Sequence, residues 1–139
     1  MARIKIELPA KFSFTTQIAI RITDLNYGGH VGNDTVLSLV HEARVQFLKH
    51  HGYEELNVEG VGLIMSDALI EFKSELFYGD MITAVVTAGN FSRVGFDLFY
   101  KLTRTDTVVA IAKTGMICYN YASKKVVSLP GAAKQKLLF

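Results

Sequence analysis

The sequence has one cysteine, two prolines and no tryptophan. A single thiol, Cys118, closes no intrachain disulfide and completes no cysteine-based zinc site, a usage that fits a reducing compartment. No run approaches the ~18 apolar residues of a membrane span. Met1 to Phe14 mixes charged and apolar residues without the continuous apolar core of a secretory leader, so no membrane partner is expected and the chain reads as a cytoplasmic protein. An excess of charge of one sign is missing too. Lys+Arg 15 against Asp+Glu 13 leaves a formal net charge of +2, and the basic residues are scattered from Lys5 to Lys136. Nucleic acid is therefore excluded as the main partner, while a small anionic ligand remains compatible with this balance.

What is present is apolar: 50% of the 139 residues are hydrophobic and only 20% are charged. That composition lies far from the disordered class and suits one domain over residues 1–139. With Pro9 and Pro130 as the only prolines, long uninterrupted elements are expected, and more apolar surface than one small core hides.

The pattern of apolar residues resolves these elements. Phe12 to Thr23 alternates strictly, as a half-buried strand does. Asp24 to Asp34 holds three glycines among short polar residues and reads as a loop. From about Asp34 to His51 the period becomes helical: Val36, Val40, Ala43 and Phe47 share one stripe, with Leu37, Arg44 and Leu48 beside it. Asn33 or Asp34 is placed to cap this helix, Gly52 to end it, and Lys49, His50 and His51 to meet its dipole. Four further strands are predicted at about Val61 to Glu75, Met81 to Asn90, Val94 to Arg104 and Thr107 to Tyr121. Gly79-Asp80, Ser92-Arg93 and Thr105-Asp106 between them read as hairpin turns. The tail after Pro130 reads as helix-permissive and peripheral.

Strands of about 11 to 15 residues span roughly 35 to 50 Å, and a helix of about 18 residues only about 27 Å. A sheet that curls around one helix reconciles those lengths. In Thr107 to Tyr121 both alternating sets are apolar, so both faces of that strand are expected to be buried, with a partner subunit as the cover.

The loop Thr23-Asp24-Leu25-Asn26-Tyr27-Gly28-Gly29-His30-Val31-Gly32-Asn33 enters a helix carrying His41-Glu42-Ala43-Arg44. Glu71-Phe72-Lys73, Tyr78-Gly79-Asp80, Val109-Ala110 and Leu129-Pro130 follow in order. This series resembles the hotdog-fold acyl-CoA thioesterases of the 4-hydroxybenzoyl-CoA thioesterase type over nearly the whole chain. The resemblance implies an α+β hotdog fold, with a long central helix wrapped by a curved five- to six-stranded antiparallel sheet. It also implies a homodimer with helices side by side and active sites at the subunit interface, often a dimer of dimers. The substrate it implies is an acyl-CoA, coenzyme A being part of that substrate and no separate cofactor being required. One departure matters most: where many members carry an acid four positions before the His-Val, this sequence has Asn26. An amide has no useful basicity, so Asn26 serves at most to hold a carbonyl or a water.

For such a reaction, backbone amides around Gly32, Asn33 and Asp34 at the helix N-terminus are the expected oxyanion hole, and glycines at 28, 29 and 32 allow substrate close to the backbone. The candidates for base or nucleophile are Glu42 first, then His41 and Asp24. Each also has an ordinary structural role open to it: a solvated helix carboxylate, a satisfied core histidine and an Asx turn. His30 reads as fixing the loop, with Tyr27 beside it. Tyr27, Phe47, Leu63, Met65 and Phe72 are acyl-pocket or core residues, and Arg93, Lys73 and Lys113 are candidates for the coenzyme A phosphates. Cys118 reads as a small buried hydrophobe, and no metal is expected, since the adjacent His50 and His51 diverge on a helix. Two other activities stay open: non-catalytic binding of an acyl or aromatic ligand, and an enoyl-CoA hydratase or dehydratase. The hydratase is echoed by Asp24 to His30, with one residue too many and no proline.

Overall fold

A computed structural model of the chain describes residues 4–138. β1 (Phe14–Ala19) leads through a 3-10 turn (Ile22–Asp24) and a loop into the long helix α1 (Asn33–His50). β2 (Gly62–Phe72), β3 (Met81–Gly89), β4 (Gly95–Arg104) and β5 (Thr107–Asn120) follow, then a short β6 (Lys125–Val126) and α2 (Gly131–Leu137). The antiparallel sheet runs in the order β1-β3-β4-β5-β2, with β6 against β5. This is the hotdog arrangement that the resemblance implies. Among the described residues no helix is long and apolar enough to cross a membrane.

The helical stripe packs as expected: Val36, Val40, Ala43, Phe47 and Leu48 are buried. Leu39 joins them, while Leu37 is exposed and forms a second row with His41 and Val45, at positions i, i+4 and i+8. The sheet meets the helix with alternate residues, Ile82, Ala84 and Val86 from β3, Leu98, Tyr100 and Leu102 from β4, Ala110, Ala112 and Met116 from β5. Each fully buried side chain of Val or Leu size contributes about 1.5–3 kcal/mol.

Four expectations need correction. The first strand is shorter than its alternation, because β1 pairs only with β3 and the register ends at Ala19 opposite Met81, the first residue of β3. Gly79-Asp80 is not a hairpin turn: β2 and β3 are not neighbours, and the segment crosses from one side of the sheet to the other. The tail is not peripheral, since Ala133 and Leu137 of α2 are buried in the core. The outer face of the sheet is covered in part by the chain itself. Residues 5–9 border a cavity on that face together with Leu69, Phe99 and Lys113, and the Ile6 N–H donates to Glu71 Oε2 at 2.9 Å.

One charge lies in the core. Arg44, 5% exposed, donates from Nη1 to the Tyr100 hydroxyl at 3.3 Å, and its Nε faces Glu55 at 3.6 Å. The Tyr100 hydroxyl in turn lies 2.7 Å from Thr114 Oγ1. Burial pushes the Tyr100 phenol above its ordinary range, so it remains a neutral donor and acceptor. These groups join α1 to β4, to β5 and to the turn after the helix. Tyr100→Phe leaves Arg44 Nη1 without this acceptor and is expected to cost about 1–3 kcal/mol, read as a lower urea midpoint at unchanged m-value.

Candidate active site

The loop before α1 is folded by its own backbone. Leu25 bridges Val31, the Asn26 N–H donates to the His30 carbonyl at 3.0 Å, and the Gly29 N–H to the Asn26 carbonyl at 3.1 Å. Gly29 has φ 85°, a left-handed conformation that glycine adopts without penalty. The Val31 N–H donates to the Leu76 carbonyl at 2.9 Å and ties the loop to the segment after β2.

Asn26 Oδ1 accepts from the Gly28 N–H at 2.8 Å, which fixes the orientation of its amide. Its Nδ2 is then the free donor, standing 3.6 Å from where a Cβ on Gly32 would lie. Gly32 is the N-cap of α1, in extended conformation and with no side chain to fill the capping role. The Thr35 and Val36 N–H groups bond the Gly32 carbonyl at 3.0 and 3.2 Å. Those of Asn33 and Asp34 have no acceptor among the described residues. Bare amides at the positive end of an 18-residue helix attract negative charge. Asn33 borders a cleft of about 260 Å³ lined with it by His30 and Val36 on one side and by Phe72, Lys73 and Ser74 on the other.

The structure separates the sequence candidates into three places. Asn26, His30, Gly32 and Asn33 come together at the start of α1, while the Tyr27 side chain beside them is fully in solvent. Asp24 and Glu42 line a different cleft, of about 370 Å³, between β1 and α1. There the buried Asp24 carboxylate accepts the Arg21 N–H at 2.8 Å and closes the 3-10 turn. Glu42 accepts from Gln46 Nε2 at 2.7 Å. His41 points to the opposite side of the helix, with Nε2 2.7 Å from Glu55 Oε1. At 1.5 Å per residue, His41 and Glu42 lie about 12 Å or more along the axis from Asn33. Within one chain neither reaches a carbonyl held on that amide.

The three candidate phosphate contacts are also dispersed. Lys73 lines the cleft at the helix N-terminus, its Nζ 3.1 Å from Glu71. Lys113 lies on the outer face between Asp67 at 2.6 Å and Asp97 at 3.7 Å. The Asp67 hydrogen bond holds Lys113 above the ordinary lysine range, and that same bond holds the Asp67 carboxyl below its own. Its charge is already matched. Arg93 is exposed in the turn between β3 and β4. Glu55 escaped the sequence reading, because an acid in a polar loop carries no periodic signal. Arg44 had one: a cation beside the apolar stripe.

Comparison with known proteins follows this geometry. Residues 20–137 match the family model described as the thioesterase-like superfamily. The chain is 32% identical over 124 residues to a 1,4-dihydroxy-2-naphthoyl-CoA hydrolase from Microcystis aeruginosa, a match covering 85% of this chain and 88% of that protein. The solved structure of a 1,4-dihydroxy-2-naphthoyl-CoA thioesterase from Synechocystis superposes with a TM-score of 0.80 at 23% identity, over 90% of this chain and 94% of the other. A gentisyl-coenzyme A thioesterase superposes with a TM-score of 0.79 at 18% identity, over 89% and 99%.

Cys118 is fully buried in β5, and burial pushes its thiol up to about 11. A protonated, inaccessible sulfur is a packing group rather than a nucleophile. Ellman's reagent at pH 8 is expected to leave the native protein unmodified and to titrate one thiol per chain in denaturant. Fast reaction of the folded protein would contradict that reading.

Proposed function

The chain belongs to the thioesterase-like superfamily, and from that premise we propose that it hydrolyses an acyl-CoA thioester to the free acid and coenzyme A at the N-terminus of α1. The observation that carries this reading is the Asn33 amide, which has no acceptor among the described residues and borders the cleft, with Asn26 Nδ2 3.6 Å from the Cβ point of Gly32 next to it. A thioester carbonyl oxygen placed there accepts the Asn33 N–H and the Asn26 amide, and both bonds strengthen as the oxygen becomes an oxyanion. The leaving thiolate has a pKa of about 8.5, so no strong acid is needed. Coenzyme A enters as substrate, and Lys73 at the cleft is the cation placed to meet its phosphates.

Relatives that act on 1,4-dihydroxy-2-naphthoyl-CoA and gentisyl-CoA, together with Phe72 and Val36 in the cleft wall, make a hydroxyaryl acyl group the first to test. The absence of a carboxylate at Asn26 favours one second reading, binding of an acyl-CoA without turnover. Against a hydratase stands the separation of Asp24 and His30 into different clefts.

The assembly that suits this site is a homodimer. Among the described residues β2 pairs only with β5, leaving its other edge open. On the helix side of that edge Met65 and Phe72 are 43% and 47% exposed. A second copy joined edge to edge through β2 covers these side chains and extends the sheet.

Free-thiol release is expected from a panel of aryl-, short-, medium- and long-chain acyl-CoAs, with an aryl-CoA fastest. Asn33→Pro removes the amide donor but suits the first helical position, because Gly32 before it already has φ −74° and ψ 159°. It is expected to lower kcat about 10²–10³-fold with little change in melting temperature. Binding across the panel without turnover would establish the ligand-binding reading instead. Sedimentation is expected to give a dimer that Met65→Arg converts to monomer, and a wild-type monomer would refute the assembly.

A further inference from the structure

With Asn26 unable to act as a base, something else at the start of α1 must take the proton of the attacking water. The ionisable side chains there are His30, Asp34, Lys73 and Glu75. We propose that His30 is the general base, an inference that rests on the hydrolase reading and assigns its missing group.

Three observations support it. His30 Nδ1 lies 3.3 Å from the Val31 carbonyl oxygen. A carbonyl only accepts, so Nδ1 carries the ring proton and Nε2 presents its lone pair. That Nε2 stands 3.6 Å from the point where a Cβ on Gly28 would lie, and Asn26 Oδ1 stands 3.1 Å from the same point. The missing side chain at position 28 thus leaves a small space with an imidazole acceptor on one side and the Asn26 amide on the other. His30 also lines the cleft that Asn33 borders.

The other groups suit the task less well. Asp34 turns its carboxylate back beside Gly32, 2.7 Å from the Cβ point there, and does not line the cleft. Lys73 is a cation paired with Glu71. Glu75 lies at the far wall of the cleft with an exposed side chain.

In the step so assigned, water oxygen forms a bond to the thioester carbonyl carbon while its proton passes to His30 Nε2. The carbonyl π electrons move onto oxygen, held by the Asn33 N–H and Asn26 Nδ2. On collapse the C–S bond breaks, sulfur leaves with the bonding pair and recovers the proton from Nε2. One water and one thioester give one acid and one thiol, and the imidazole is regenerated.

The test is the pH dependence of kcat/KM for an aryl-CoA substrate in the wild type, His30→Gln, His30→Ala, Asp34→Asn and Gly28→Ala, with thermal melts as the control for folding. His30→Gln is expected to lower kcat about 10²–10⁴-fold, to leave KM little changed and to abolish the acid limb of the profile. Added imidazole should restore turnover to His30→Ala, which a purely structural role would not permit. Asp34→Asn should keep the acid limb. Gly28→Ala should lower kcat by filling the space between Asn26 and His30. An active wild type whose acid limb survives His30→Gln, or disappears in Asp34→Asn, overturns the assignment while leaving the hydrolase reading intact. A wild type that cleaves no thioester in the panel overturns both.

Discussion

The rest of the structure depends on the burial of one face of α1 against the sheet. Val36, Val40, Ala43, Phe47 and Leu48 fix the rotation of the helix about its axis, and every other face is assigned by that choice. Neighbouring helix residues diverge by about 100°. His41 therefore points toward Glu55 and the open β2 side, and Glu42 toward Gln46 and β1, though they are adjacent in sequence. What the packing leaves without backbone acceptors, among the described residues, is the end of the helix at Asn33 and Asp34. A site made of backbone amides needs only that the helix begin in the right place. That place is set by Gly32 and by the bond from the Val31 N–H to the Leu76 carbonyl.

Arg44 is the exception to an apolar interface, and its cost says something about its use. Removing a guanidinium from water costs several kcal/mol, offset only where its partners are well placed. Here the partners come from three directions: Glu55 in the turn after α1, Tyr100 in β4 and, through Tyr100, Thr114 in β5. Its Nε has no hydrogen-bond acceptor among the described residues, so the compensation is incomplete. A helix rolled or slid by part of a turn would strand the charge altogether. The group thus penalises misplacement of α1 more steeply than the interchangeable apolar contacts around it.

Much of this was legible in the sequence, because the strongest signals are periodic. The helical stripe, the long alternating strands and the glycine-rich loop each follow from a repeat in one dimension. The errors arose where a third dimension intervened. Leu37 and Leu39 flank the same stripe, and Leu39 is the one buried in the core. Phe12 to Thr23 alternates throughout, yet pairing stops where β3 begins. Gly79-Asp80 has turn composition, which does not distinguish a hairpin from a crossover. The apolar outer face of β5 was assigned to a partner, but residues 5–9 of the same chain border a cavity on it. Within the site, the amides and Asn26 were visible through the family resemblance of the loop and the helix start that follows it. The division of Asp24, His41 and Glu42 among separate clefts was not, since it depends on which way a helix faces.

Asn26 is best understood through the field at the helix terminus. A carboxylate at this position would be drawn to the amides of Asn33 and Asp34 as an anion and would compete with a developing oxyanion for the same donors. The neutral amide does the reverse. It spends Oδ1 on the Gly28 N–H and adds Nδ2 to the donors, so the site gains polarising power as it loses a base. The flanking glycines then have a steric reason beyond flexibility. A Cβ at position 28 would crowd Asn26 Oδ1 at 3.1 Å, and one at position 32 would meet the Asp34 carboxylate at 2.7 Å. The amide lies between two residues that have no side chain. On the proposed reading, such a site stabilises charge on the substrate without supplying any of its own, and proton transfer falls to an imidazole.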